Sequence, residues 1–325
     1  HMFSKGGKTM KEFKFWRLFI VFAVCIMAIA GCGKQADTVQ EDKPLQVVTT
    51  TTMITDLVQK IGGDHVSVQG LMGPGVDPHL YQASAGDVTT MSKADVVVYN
   101  GIHLEGKMGS IFDNLTKQNK ATIRVSDAID PATLLDFDEE DGVKTKDPHI
   151  WFDVANWKLA AKAVYEGLAK ADPAHKEDFK KRYDAYLTKL DETDAYVKTQ
   201  AESIPKESRV LVTAHDAFQY FARAYGFEVK GLQGVSTATE AGTQDVNELV
   251  QFIVDHKIKA IFVESSVPHK TIEAVQEAAK AKGVNSLPDL LKATGVPLEP
   301  FIDDKNRAAQ EALHKEPEPE QMSFF

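Results

Sequence analysis

Ten histidines occur in the sequence, and three stand where they can hold a metal ion. Asp77-Pro78-His79-Leu80-Tyr81 and Asp147-Pro148-His149-Ile150-Trp151 repeat one pattern: Asp-Pro-His, an aliphatic residue, an aromatic. Proline fixes its own φ and restricts the residue before it, so each His leaves a stiff turn. The aromatic two positions on can wall the site from water. His215 follows the apolar run Arg209–Thr213 (RVLVT) directly, at the carboxyl end of a strand that enters a helix. Three imidazoles from separate segments suit a first-row divalent ion. The same trio with an open water position suits metal-dependent hydrolysis, which also needs a general base. Glu240 and Glu264 are available as bases, but no spacing singles them out. The chain has no G-x-S-x-G, which disfavours a serine hydrolase. His1, His65, His175, His256 and His314 read as exposed residues, and His103 and His269 as structural ones.

These side chains need a framework. Leu45–Thr50, Val66–Leu71, Ala94–Tyr99 and Ala121–Val125 read as strands, with helical spacing at Met53, Ile54, Leu57, Val58 and Ile61. Ala94–Tyr99 is apolar on both faces, as a buried parallel strand would be. Asp172-Pro173 then starts a helix. Apolar residues at Phe179, Tyr183, Leu187, Leu190, Val197 and Ala201 carry it to Ile204-Pro205. A second series of strands (209–213, 228–232, 260–264) and helices (217–225, 245–256, 270–282) follows. The expected fold is α/β: two lobes with mostly parallel sheets, joined by one long rigid helix. Ligands of open α/β sheets sit at the strands' carboxyl ends, so the cleft between the lobes is the expected site.

Composition narrows the class. The chain has 325 residues, 43% hydrophobic, with 37 basic and 47 acidic side chains, which excludes a disordered chain and a dedicated nucleic-acid binder. The only cysteines, Cys25 and Cys32, lie near the start, so no disulfide framework exists. Residues 1–31 read as a signal peptide with a cloning scar: basic residues, then the apolar run LFIVFAVCIMAIAG, too short to span a membrane. That run ends Ile29-Ala30-Gly31-Cys32, which resembles a lipobox with Cys32 as the lipid anchor. Residues 32–44 read as a flexible tether. The body divides as 45–171 (first lobe), 172–204 (linking helix) and 205–285 (second lobe).

At the histidine motifs the chain resembles the TroA-like family, the metal-binding receptors of bacterial ABC importers for manganese and zinc. Within that family it is most similar to the manganese-binding lipoproteins of Gram-positive bacteria. The matching stretches include LMGPGVDPHLY (71–81), GIHLEGKM (101–108), DPHIWFD (147–153), RVLVTAHDAFQYF (209–221) and IFVESSV (261–267), within about 45–285. The resemblance implies an extracytoplasmic lipoprotein that captures Mn²⁺ or Zn²⁺ and passes it to a membrane permease. It would be no enzyme, a monomer, and anchored on the outer side of the cytoplasmic membrane. Carried over, the metal ligands are His79, His149 and His215. The family's fourth ligand, an Asp near the C-terminus, has no counterpart here. Asp289, Asp303 and Asp304 are the carboxylates on offer in its place.

Residues 286–325, with prolines at 288, 297, 300, 317 and 319, read as an anomalous, partly disordered tail. The second lobe is therefore expected to lack its last strand and to bind metal more weakly. Imidazole ligands bind as neutral bases, so affinity is expected to fall below about pH 6.5. The Irving–Williams order favours zinc, whereas the resemblance favours manganese.

Overall fold

The computed structural model describes residues 43–138 and 144–284, together with the backbone of 291–292. From Pro44 onward these residues belong to one unit. The leader, Cys32, the tether before Lys43 and most of the tail lie outside the described residues.

β1 (Leu45–Thr49) leads into α1 (Thr52–Gly62), whose first turn is capped by the Thr51 side chain accepting from the Ile54 N–H. There follow β2 (Val66–Gly70), α2 (Ala85–Lys93), β3 (Val96–Tyr99), α3 (Gly109–Lys117) and β4 (Ala121–Arg124). The four strands form a parallel sheet in the order β2-β1-β3-β4. Successive side chains of a strand face opposite ways, and this sheet is apolar on both sides. Val47, Val96 and Val98 pack with Leu57, Ile61 and, from farther along the chain, Val164 and Phe179. Val48 and Val97 pack on the other side with Met91, Phe112 and Leu115.

A short antiparallel pair, β5 (Asp136–Asp138) with β6 (Lys144–Lys146), precedes α4 (Val154–Ala171). A 3₁₀ turn at Pro173–His175 then opens α5 (Lys176–Ser203), whose 28 residues make a rod about 42 Å long. Phe179 near its start lies in the core of the first lobe. Val197 and Ala201 near its end pack with Tyr225, Phe221 and Phe227 of the second. The helix thus has one end in each lobe, while most of its length stays polar and exposed. Two histidines expected to be exposed are instead only partly so: the His65 and His175 rings stack 3.8 Å apart. Each also meets a carboxylate, Asp178 and Asp172 respectively.

The second lobe comprises β7 (Val210–His215), α6 (Gln219–Tyr225), β8 (Glu228–Gln233), α7 (Thr243–Asp255), β9 (Phe262–Val263), α8 (Lys270–Ala281) and β10 (Leu291–Lys292). Its sheet is parallel, in the order β10-β9-β7-β8. The expectation that no strand follows β9 is corrected. Leu291 and Lys292 pair in parallel with Phe262 and Val263, completing the open edge of β9 for two residues. One face of this sheet (Val212, Val263) packs on Leu249, Ile253 and Val275 of α7 and α8. Leu211, Thr213 and Phe262, of opposite parity, line a cavity of about 970 Å³ that continues to the three histidines. Among the described residues no helix is long and apolar enough to cross a membrane.

Candidate metal centre

Both Asp-Pro-His segments fold into the same turn. The Asp77 Oδ1 accepts from the His79 backbone N–H at 2.9 Å, and the Asp147 Oδ1 accepts from that of His149, also at 2.9 Å. An Asp side chain bonding backbone two residues on is a turn device, and the intervening proline stiffens it. His215 is the last residue of β7, at the sheet's carboxyl end. Its neighbour β8 comes so close that a Cβ on Gly231 would lie 2.5 Å from the Asp216 nitrogen. A glycine is needed there for β8 to pair beside the histidine.

The three imidazoles meet. His79 Nε2 lies 3.2 Å from His149 Nε2, which lies 3.4 Å from His215 Nε2. Nitrogens bound about 2.0–2.1 Å from one ion sit roughly 2.9 Å apart at octahedral angles and about 3.4 Å apart at tetrahedral ones. Both distances fall in that window. All three residues are buried, at 5%, 2% and 6% exposure, so water hardly competes for the donors. They are the one group of metal-ligand type found among the described residues.

The surroundings distinguish the three rings. His149 Nδ1 donates to Asp147 Oδ1 and His215 Nδ1 donates to Glu264 Oε1, each at 2.8 Å. These bonds place the proton on Nδ1 and leave the Nε2 lone pair facing inward. Asp77 instead accepts from the Thr237 hydroxyl at 2.6 Å, a bond between the lobes. Tyr220 adds another, donating to the Asp147 carbonyl at 2.9 Å while accepting from the Leu135 N–H. Asn100 holds the His149 turn through its side-chain N–H on the Pro148 carbonyl, at 3.0 Å. Asn100 and Gly101 are themselves fixed by backbone N–H bonds to the buried Glu105 carboxylate, which also accepts from Thr50.

Burial changes the protonation of the site. Loss of solvent, then the charges of His149 and His215, push His79 down to about 3, with Asp77 opposing. Loss of solvent, then His215, pushes His149 well below its ordinary value. Burial also pushes Asp147 up to about 7, against the His149 N–H, His215 and Arg223. The usual imidazole value of 6.5 therefore does not govern His79 or His149.

His79, His149 and His215 are brought together as the motifs suggest, and Trp151 packs edge-on to the His149 ring at 5.3 Å. Tyr81 does not wall the site. Its hydroxyl donates to Asp87 Oδ2 at 3.0 Å, at the start of α2. Glu240 is exposed in a loop. Glu264 faces the site, but as the partner of a ligand-type histidine. Asp289, Asp303 and Asp304 lie outside the described residues. The parts that sequence reasoning missed are Asp147 as a ring partner, Thr237, Tyr220 and the Glu105–Asn100 brace. For Asp147 a signal was present, since its own Asp-Pro-His turn keeps it next to the ring.

The family description "Zinc-uptake complex component A periplasmic" (ZnuA) matches residues 47–302. The chain is 53% identical over 247 residues to the zinc-binding protein TroA of Treponema pallidum, covering 76% of this chain and 78% of that one. It is 46% identical over 264 residues to the manganese-binding lipoprotein MntA of Bacillus subtilis, covering 81% and 84%. The solved structure of the periplasmic zinc-binding protein TroA from Treponema pallidum superposes with a TM-score of 0.71 at 51% identity, covering 77% of this chain and 86% of that one.

Proposed function

This chain belongs to the ZnuA family of metal-uptake receptors, and from that premise we propose that it captures Mn²⁺ or Zn²⁺ for a membrane permease of an ABC importer. The observation that carries the reading is the convergence of three buried imidazoles at ligand spacing between two lobes. His79, His149 and His215 are the ligands. The lobes are 45–171 and 205–285, and residues 172–204 link them. Cys32 is the lipid anchor that holds a monomeric receptor on the outer face of the membrane, in keeping with the lipoprotein name of the Bacillus relative. The receptor has no catalytic turnover.

Titration of the metal-free protein with Mn²⁺ and Zn²⁺ tests this reading, with stoichiometric uptake of one ion expected. The proton balance gives a second check. His79 and His149 stay neutral far below 6.5, so they have no proton to give up when the ion arrives. Asp147, raised to about 7, does release one. Near pH 5.5 fewer than two protons should leave per ion, whereas three ordinary imidazoles would release nearly three. Stability responds with its own sign. Below 6.5 the unfolded chain protonates these two histidines and the folded one does not, so they withdraw stability as pH falls toward about 3. Calorimetry in buffers of different ionisation enthalpy counts the protons, and a count near three would refute the buried-imidazole account.

A further inference from the structure

We infer that Asp147 and Glu264 are positioning residues that act as a charge-balancing pair, matching a centre of three neutral imidazoles to a doubly charged ion. This builds on capture of a divalent ion by His79, His149 and His215. Three imidazoles bring no charge to the ion, and no carboxylate among the described residues joins them as a ligand. Two carboxylates stand directly behind the rings, one on each of His149 and His215, through Nδ1 bonds of 2.8 Å. Together they supply two negative charges, which is what a divalent cation requires.

Each carboxylate is also incompletely satisfied. Asp147 Oδ2 and Glu264 Oε2 are buried and have no hydrogen-bond partner among the described residues. Asp147 is 1% exposed, and the Glu264 side chain 12%. A buried carboxylate oxygen without a donor costs free energy in the ion-free protein. The field of a nearby cation offsets that cost. The carboxylates therefore destabilise the empty site and strengthen the filled one. Among the described residues no carboxylate bonds the His79 ring, because Asp77 is committed to the His79 backbone and to Thr237. The two rings at β7 and the second turn are the charged-backed donors, and His79 is the neutral one.

Glu264→Gln and Asp147→Asn keep an oxygen that accepts from the imidazole N–H but remove the charge. At pH 8 each should weaken Mn²⁺ and Zn²⁺ binding by about 10- to 100-fold. The thermal midpoint of the ion-free protein should stay unchanged or rise. A merely structural role predicts the opposite, a fall in that midpoint together with the affinity, and this result would overturn the inference. So would binding within threefold of the parent in both variants. Failure of the parent to bind either ion would overturn the receptor reading and this inference with it. A parent that binds beside unaffected variants overturns this inference alone.

Discussion

His149→Ala is expected to lower the affinity for Mn²⁺ and Zn²⁺ by at least about a thousandfold, or roughly 4 kcal/mol. His149 is the middle ring of the three, within 3.4 Å of both others through Nε2, so its removal leaves His79 and His215 as separated donors. It also strands the Asp147 carboxylate, which then has only a backbone N–H as partner. His79→Ala should cost less than His149→Ala, because its Nδ1 is not backed by a carboxylate. His256→Ala is the control, since His256, just after α7, is exposed and its ring stacks on Phe252 and bonds the Phe252 carbonyl. Isothermal titration on folded variants, verified by circular dichroism, measures the effect. An affinity for His149→Ala within threefold of the parent would remove the ligand assignment.

Glu105→Ala is expected to be the most destabilising single change near the site, by about 3 kcal/mol. The Glu105 carboxylate is fully buried, and burial raises its pKa against the bonds from Thr50, Asn100 and Gly101. Its oxygens accept from the Thr50 hydroxyl at 2.7 Å and from the backbone N–H groups of Asn100 and Gly101 at 2.8 and 3.1 Å. The segment it holds is unusual. Gly101, Ile102 and His103 have φ of 85°, 53° and 59°, and for a β-branched residue like Ile102 that region is strained. Removal of the carboxylate leaves three donors unpaired and frees a strained turn. Loss of the buried charge offsets only part of this. For a protein this size the thermal midpoint should fall by about 4–6 °C. Because Asn100 holds the Pro148 carbonyl, ion affinity should weaken with it. A midpoint within 1 °C of the parent would show that the brace is dispensable.

The strands of the first sheet could be read from the sequence because a doubly covered parallel strand must be apolar at consecutive positions, as Val96–Val98 is. Other elements left weaker traces. α2 buries only Met91 of its nine residues and is started by a Ser84–Asp87 capping box, so it shows no apolar stripe. α4 buries Trp157, Val164 and Leu168, but the middle of that stripe is the small pair Ala160 and Ala161, which hydrophobic periodicity undervalues. β5 and β6 are three residues each and, apart from Phe137, charged or polar, so they carry no apolar alternation. The strand at Leu291–Lys292 was missed because it needs only an open sheet edge, which no local pattern announces.

By itself, the sequence determined which side chains can hold a metal. The turn that presents each histidine is local, written in Asp, Pro and His within three residues, and both copies fold alike. The tertiary structure decided what each copy does. Asp147 turns its Oδ1 to the His149 ring, whereas Asp77 reaches across to Thr237, 160 residues away. It also gave His215 the Glu264 carboxylate and drove His79 and His149 far below their ordinary basicity. Basicity and charge balance depend on burial and on partners distant in the chain. Two copies of one motif therefore become two differently backed imidazoles only in the folded chain.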